Sequence, residues 1–174
     1  MIEYATYCNK YSINTPKIIF PIHIITSQAL YPTEENCFEA VWDTGATNTC
    51  ISPHLANVMK LISCDKAPIE GIYGYSNALL FKTNILLPNN IIFKNHLVYG
   101  TKLGSIDMLI GMDIISKCDS TILNAENNIE FSFKIPIVEN NEYELYDNSD
   151  QENFGTCHPV SCAQLYRTPL PQNV

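Results

Sequence analysis

An all-β fold, a small closed barrel or sandwich, is what this sequence predicts, and three observations predict it. Short apolar, β-branched runs alternate with turn residues from about residue 16 to residue 136. Phe131, Phe133 and Ile135 alternate with Ser132 and Lys134, the period of two that marks a half-buried strand. Helical signals are confined to one stretch after Ser52 and one short stretch after Gly111.

In chain order, residues 1–15 are polar, carry three tyrosines and give no clear element. Pro16 to Ile25 reads as a strand, with Pro21 marking an edge or a bulge because it cannot donate to a ladder. Residues 26–36 are a loop. Cys37 to Trp42 is an apolar strand that delivers Asp43 to a turn, and Thr49 to Ser52 returns as a strand. Ser52-Pro53 then opens a helix, serine as the cap and proline as the first helical residue. Its apolar face is Leu55, Val58 and Met59, running to about Leu61.

Gly71 and Gly74 bracket Ile72 and Tyr73 in a predicted mobile hairpin tip, where glycine permits angles other residues avoid. Ala78 to Leu87 and Ile91 to Tyr99 flank the turn Pro88-Asn89-Asn90. Asp107 to Gly111 is a buried strand, and Met112 to Lys117 a short helix. A last hairpin joins Thr121-Ile122-Leu123 to Ile129–Ile135. From Val138 the pattern stops. Six acids after that point (Glu139, Glu142, Glu144, Asp147, Asp150, Glu152) face one base, Arg167, the composition of a disordered tail. The expected organisation is an N-terminal segment 1–15, a domain at 16–137 and an acidic tail at 138–174.

Composition excludes some functions. With 10 basic and 18 acidic residues and a net charge of −8, the chain offers no cationic patch for phosphate, so nucleic acid is not an expected partner. No stretch reaches the length of a membrane span, and the first residues lack the basic-then-apolar pattern of a secretory leader. The seven cysteines are odd in number and scattered, which predicts reduced thiols and a cytoplasmic setting. Cys157 and Cys162 are five apart with one histidine, His158, between them, not the tight spacing of a zinc knuckle. No metal or cofactor is expected, and His23, His54 and His96 read as structural.

The chemistry rests on Asp43-Thr44-Gly45-Ala46, an aspartate at the tip of a turn entered by an apolar strand. Two close carboxylates share one proton, because like charges so near cannot both ionise easily. The ionised member can activate a water, and the protonated one can polarise a carbonyl. Asp-Thr-Gly occurs once here, so the second carboxylate must come from a second copy of the chain. Asp107 and Asp113 are not followed by Thr-Gly or Ser-Gly and are not candidates. Thr44 can bond across the dimer axis, and Gly45 lets backbone approach the carboxylate. Ala46 offers no hydroxyl, which predicts activity nearer neutral pH than a serine there would give.

The segment Phe38-Glu39-Ala40-Val41-Trp42-Asp43-Thr44-Gly45-Ala46 resembles the active-site turn of retropepsin-like aspartic proteases. About seventy residues on, Met108-Leu109-Ile110-Gly111-Met112-Asp113-Ile114-Ile115 resembles that family's second signature, two apolar residues and a glycine before a short helix. The resemblance covers roughly 16 to 136 and is closer to bacterial and cellular members than to compact viral ones, because of the helix after Ser52.

It implies a retropepsin-like closed barrel, one lobe per chain, and a homodimeric aspartic endopeptidase with a peptide cleft across the dimer. Gly71, Ile72, Tyr73 and Gly74 map onto the flap tip. Ile110, Gly111 and Asp113 map onto the support behind the turn, where the glycine allows close packing. Residues 1–15 and 129–136 map onto the dimer interface. The alternative is a dimer of the same fold that binds extended peptides without cutting them.

Overall fold

The computed structural model describes residues 3–71, 74–137 and 142–146. The chain is all-β, as expected, with the strands β1 (Tyr4–Ser12), β2 (Ile19–Ile25), β3 (Cys37–Trp42), β4 (Cys50–Ile51), β5 (Ser63–Gly71), β6 (Gly74–Leu86), β7 (Ile91–Gly100), β8 (Met108–Ile110), β9 (Asp119–Ala125), β10 (Asn128–Pro136) and β11 (Tyr143–Leu145). Two short helices, α1 (Pro53–Val58) and α2 (Met112–Ile115), and a 3-10 turn at Glu34–Asn36 complete the described elements.

The larger sheet has the order β11-β7-β4-β8-β3-β2-β6-β5, and β6 also pairs with β7. The pairings β2–β3, β3–β8, β8–β4, β4–β7, β7–β6 and β6–β2 therefore return to their starting strand. This is a ring of six strands, a barrel that leaves none of its members an open edge. β5 and β11 are attached outside it. Pro21 fits inside the ring because of register. The Trp42 amide bonds the Ile18 carbonyl, so alternation turns the Pro21 nitrogen away from β3, and β6 joins β2 only from His23 onward.

A second sheet, β1-β10-β9, packs on the ring. Phe131, Phe133 and Ile135 of β10 point inward, with Phe20 of β2 and Trp42 of β3 opposite them. The Trp42 ring lies 5.0 Å from that of Phe133 and 5.2 Å from that of Phe131. Aromatic pairs at such distances add about 1 kcal/mol each beyond their buried area. They fix the strand that ends at Asp43. The segments 1–15 and 129–136, expected at a dimer interface, are neighbours within one chain: Tyr4 pairs with Pro136 and Ser12 with Asn128.

Several elements differ from the sequence reading. α1 stops at Val58, because Lys60 takes a left-handed conformation (φ 50°) that ends the helix before Leu61. Val58 faces solvent, and Ala56 joins Leu55 and Met59 in the core. α2 ends two residues before Lys117. The first arm of the predicted hairpin, whose start the sequence did not mark, is β5. Tyr143–Leu145, within the segment expected to be a disordered tail, forms β11 against β7, with Tyr143 buried on Phe93. Cys157, His158 and Cys162 lie outside the described residues. Among the described residues, no helix is long and apolar enough to cross a membrane.

Candidate active site

β3 and β4 are consecutive strands, yet they do not pair. β8 lies between them, parallel to β3 and antiparallel to β4. The turn from Asp43 to Thr49 therefore arches over the end of β8. The Asp43 amide donates to the Ile110 carbonyl at 3.0 Å, and the Met112 and Asp113 amides donate to the Ala46 and Thr47 carbonyls at 2.8 and 3.2 Å. The turn is thus bonded on one side to β8 and on the other to the first residues of α2. Within it, the Ala46 amide donates to the Asp43 carbonyl at 3.2 Å.

Gly111 makes this crossing possible. A Cβ there would sit 2.5 Å from the Asn48 carbonyl carbon, 2.7 Å from its oxygen and 2.8 Å from the Thr49 nitrogen, all backbone atoms that cannot swing aside. Ile110, the residue before it, is fully buried. Both residues stand directly behind the turn.

Asp43 is half-buried as a residue, and its Oδ1 accepts the Gly45 amide at 2.9 Å. A Cβ on Gly45 would lie 3.2 Å from that same oxygen, so any side chain there presses on the carboxylate. Thr44 and Gly45 are exposed at the crest of the turn, and Ala46 is partly covered. Asp43, Thr44, Gly45 and Ala46 thus present one carboxylate at a surface, on a backbone held from beneath.

Asp113 is a hub. Its carboxylate accepts the Thr49 amide (2.9 Å), the Thr49 hydroxyl (2.7 Å) and the Ile114 amide (3.0 Å), and it meets the His96 Nε2 at 3.0 Å. The Thr49 hydroxyl in turn accepts the Gly111 amide at 3.1 Å. Burial pushes the Asp113 carboxyl upward, but the bonds from His96 and Thr49 outweigh it and hold the group below the usual carboxylate range. Cys50, beside the turn, is pushed up to about 11 by burial and by the carboxylates of Asp113 and Asp43. His96, expected to be structural, is partnered here by Asp113. Its partner lies 17 residues away, and the one local hint was a pair of asparagines, Asn84 and Asn95, inside otherwise strand-like runs.

The predicted flap corresponds to the β5–β6 hairpin, whose ends pair at Gly71 and Gly74, with Gly74 in a left-handed conformation (φ 95°) that suits glycine. Ile72 and Tyr73 lie outside the described residues. A separate cavity of about 360 Å³, lined by residues of α1 and of the 102–107 loop, contains none of the turn residues.

No protein-family model matches the chain, and no curated protein matches it in sequence. Its shape is similar to a retropepsin-like aspartic protease from Rickettsia conorii (12% identity, 79% of this chain and 98% of that one, TM-score 0.47). It is also similar to the retroviral protease-like domain of Ddi1 from Leishmania major (17% identity, 68% and 92%, TM-score 0.40) and to the simian foamy virus protease (14% identity, 57% and 92%, TM-score 0.40). At such identities and scores the likeness gives no residue a role.

Proposed function

We propose that the chain is an aspartic endopeptidase that acts as a homodimer, each copy supplying Asp43. The observation that carries this reading is the Asp43–Thr49 turn. A carboxylate stands at its crest, and its backbone is locked by β8 and α2 through a crossing that only glycine at 111 allows. A turn needed only to reverse the chain has no use for such support.

In the dimer the paired carboxylates share a proton and hold one water between them. The ionised Asp43 takes a proton from that water as its oxygen attacks the scissile carbonyl carbon. The protonated partner Asp43 gives its proton to the carbonyl oxygen. As the tetrahedral diol collapses and the carbon–nitrogen bond breaks, the first Asp43 gives the proton it took from water to the departing amine nitrogen, and the partner Asp43 takes a proton from a diol hydroxyl, which restores the shared-proton pair. Thr44 and Gly45 line the floor of the cleft, and the β5–β6 hairpin, with Gly71, Ile72, Tyr73 and Gly74 at its end, covers an extended peptide. The residues in roles are side-chain and backbone groups alone, with no cofactor. A cytoplasmic setting is part of the same reading and rests on the odd number and scattered spacing of the seven cysteines in the sequence.

The test is digestion of a proteome-derived peptide library by the wild type and by Asp43→Asn, with a pepstatin-type inhibitor as control. Cleavage by the wild type, blocked by inhibitor and absent from a variant that still sediments as a dimer, is the expected result. Equal cleavage by both proteins would refute it. Peptide binding without cleavage by either would point instead to a binding module.

A further inference from the structure

The register of β6 against β7 slips by one residue. Ile85 faces Phe93, but Thr83 faces His96, so β7 carries one residue more than β6 between those pairs. The extra residue is accommodated at Asn95, whose backbone is left-handed (φ 48°) and whose amide donates to the Asn84 side chain at 2.8 Å. In a regular strand, alternation from buried Phe93 would turn residue 95 inward and residue 96 outward. The bulge inverts that order: Lys94 and Asn95 are exposed, and His96 turns in beside Phe93, ring edge to ring face at 5.7 Å. Re-aiming a side chain is what bulges near functional sites do.

From there His96 Nε2 meets Asp113 Oδ2 at 3.0 Å, with only 17% and 22% of the two side chains exposed. Asp113 receives the amide and hydroxyl of Thr49, the last residue of the Asp43 turn. A line of direct bonds therefore runs from the bulge through Asp113 to the turn. The strand opposite the bulge, β6, continues to the hairpin end at Gly74. One carboxylate thus links the base of the hairpin, α2 and the turn.

We propose that His96 is a positioning residue for the Asp43 turn: the β7 bulge aims its ring at Asp113, and that contact fixes the carboxylate that holds Thr49. The proposal rests on the endopeptidase reading above for its kinetic consequence, though not for its structural one. Removing the donor leaves Oδ2 of Asp113 with the Thr49 amide alone and the carboxylate with three of its four bonds, so its position is less tightly held. The carboxylate of Asp43 then samples positions away from the one that faces its twin, which slows the chemical step more than it weakens binding.

Two variants of the full chain test this. His96→Phe keeps a ring against Phe93 and removes the donor. His96→Gln keeps a donor at nearly the position of Nε2. Per active site titrated with a tight-binding inhibitor, His96→Phe is expected to lower kcat roughly tenfold with KM within about twofold, and His96→Gln to recover most of the loss. Amide hydrogen exchange at Thr49 and Gly111 gives a second readout without substrate: protection falls in His96→Phe and returns in His96→Gln. An unchanged kcat per titrated site in His96→Phe, a change confined to KM, or equal losses in both variants would overturn the proposal. If the wild type cleaves nothing, the endopeptidase reading has failed, and unchanged exchange in His96→Phe would then overturn the positioning role by itself.

Discussion

Gly111→Ala is the substitution whose cost the structure fixes best. The added methyl would meet three backbone atoms of Asn48 and Thr49 at 2.5, 2.7 and 2.8 Å, where ordinary contact is nearer 3.5–4.0 Å. Overpacking of this kind costs about 1–3 kcal/mol when side chains can yield, and here only backbone is available, so about 3 kcal/mol is expected. For a chain of this size each kcal/mol lowers Tm by about 2–4 °C, which gives a fall of about 6–12 °C. The relief available is for β8 to withdraw from the turn. That stretches the Gly111 amide from the Thr49 hydroxyl and the Met112 amide from the Ala46 carbonyl, now 3.1 and 2.8 Å. On the endopeptidase reading, cleavage should therefore fall by roughly tenfold or more at temperatures where the protein is still folded. The assay is calorimetric unfolding at one fixed protein concentration, because the melting of the proposed dimer would depend on concentration. Gly104→Ala is the control. Its φ is 67° and nothing lies within 4 Å of its missing Cβ, so only backbone strain of about 1 kcal/mol applies. Equal shifts in Tm for the two variants, or Gly111→Ala within about 2 °C of wild type, would refute the close-crossing argument.

Gly45→Ala should separate chemistry from folding: its Cβ, 3.2 Å from the Asp43 Oδ1, displaces the carboxylate by a few tenths of an ångström and lowers kcat while Tm stays near wild type, read by paired kinetics and melting. Asp113 has a folded pKa held below its unfolded value, so its stabilisation is present above about pH 3.9 and is lost as pH falls through the lower folded value. Asp113→Asn should be less stable at neutral pH and show a flatter fall of Tm below about pH 4, and parallel curves for the two proteins would exclude the role. Burial places the Cys118 thiol near 12 and the Cys50 thiol near 11, so alkylation at about pH 8 should modify exposed Cys8 and Cys64 in minutes and spare Cys50 and Cys118, as mass spectrometry can count.

The parts of the fold that could be read from the sequence are those whose signals are local. Ser52 caps α1, its hydroxyl accepting the Leu55 amide at 3.0 Å, and the alternation of Phe131, Phe133 and Ile135 matches their burial. β5 carried no such signal. Its residues from Ser63 to Glu70 are exposed or only partly covered, and backbone pairing to β6 holds it rather than an apolar face. β1 turns Ala5, Tyr7 and Tyr11 toward the core, a set too mixed in size and polarity to read as a buried stripe. β11 is three residues inside an acidic run, anchored by Tyr143 and by the pairing of Lys94 with Glu144. At the site, Asp43 and its neighbours were visible as a motif, and Gly111 by its place before a helix. The bond from His96 to Asp113 was not, because it depends on one inserted residue in β7, and a single-residue change of register leaves almost no trace in hydropathy.

The arrangement separates two demands that an acid pair must meet. Rigidity is supplied within one chain: the ring of strands carries β3, β8 and β4, Gly111 lets them cross, and Asp113 bonds the turn to α2. Chemistry needs a second carboxylate, and in the proposed dimer that comes from the other copy. The two sets of residues barely overlap, so they should fail differently. Changes at Gly111, Thr49, Asp113 or His96 loosen a turn that can still meet its twin, and their defects persist at any protein concentration. Changes that weaken association leave the turn intact, and their defects vanish as concentration rises. A dilution series on each class of variant distinguishes the two, and a network variant rescued by concentration would show that the turn is ordered by its partner rather than by its own fold.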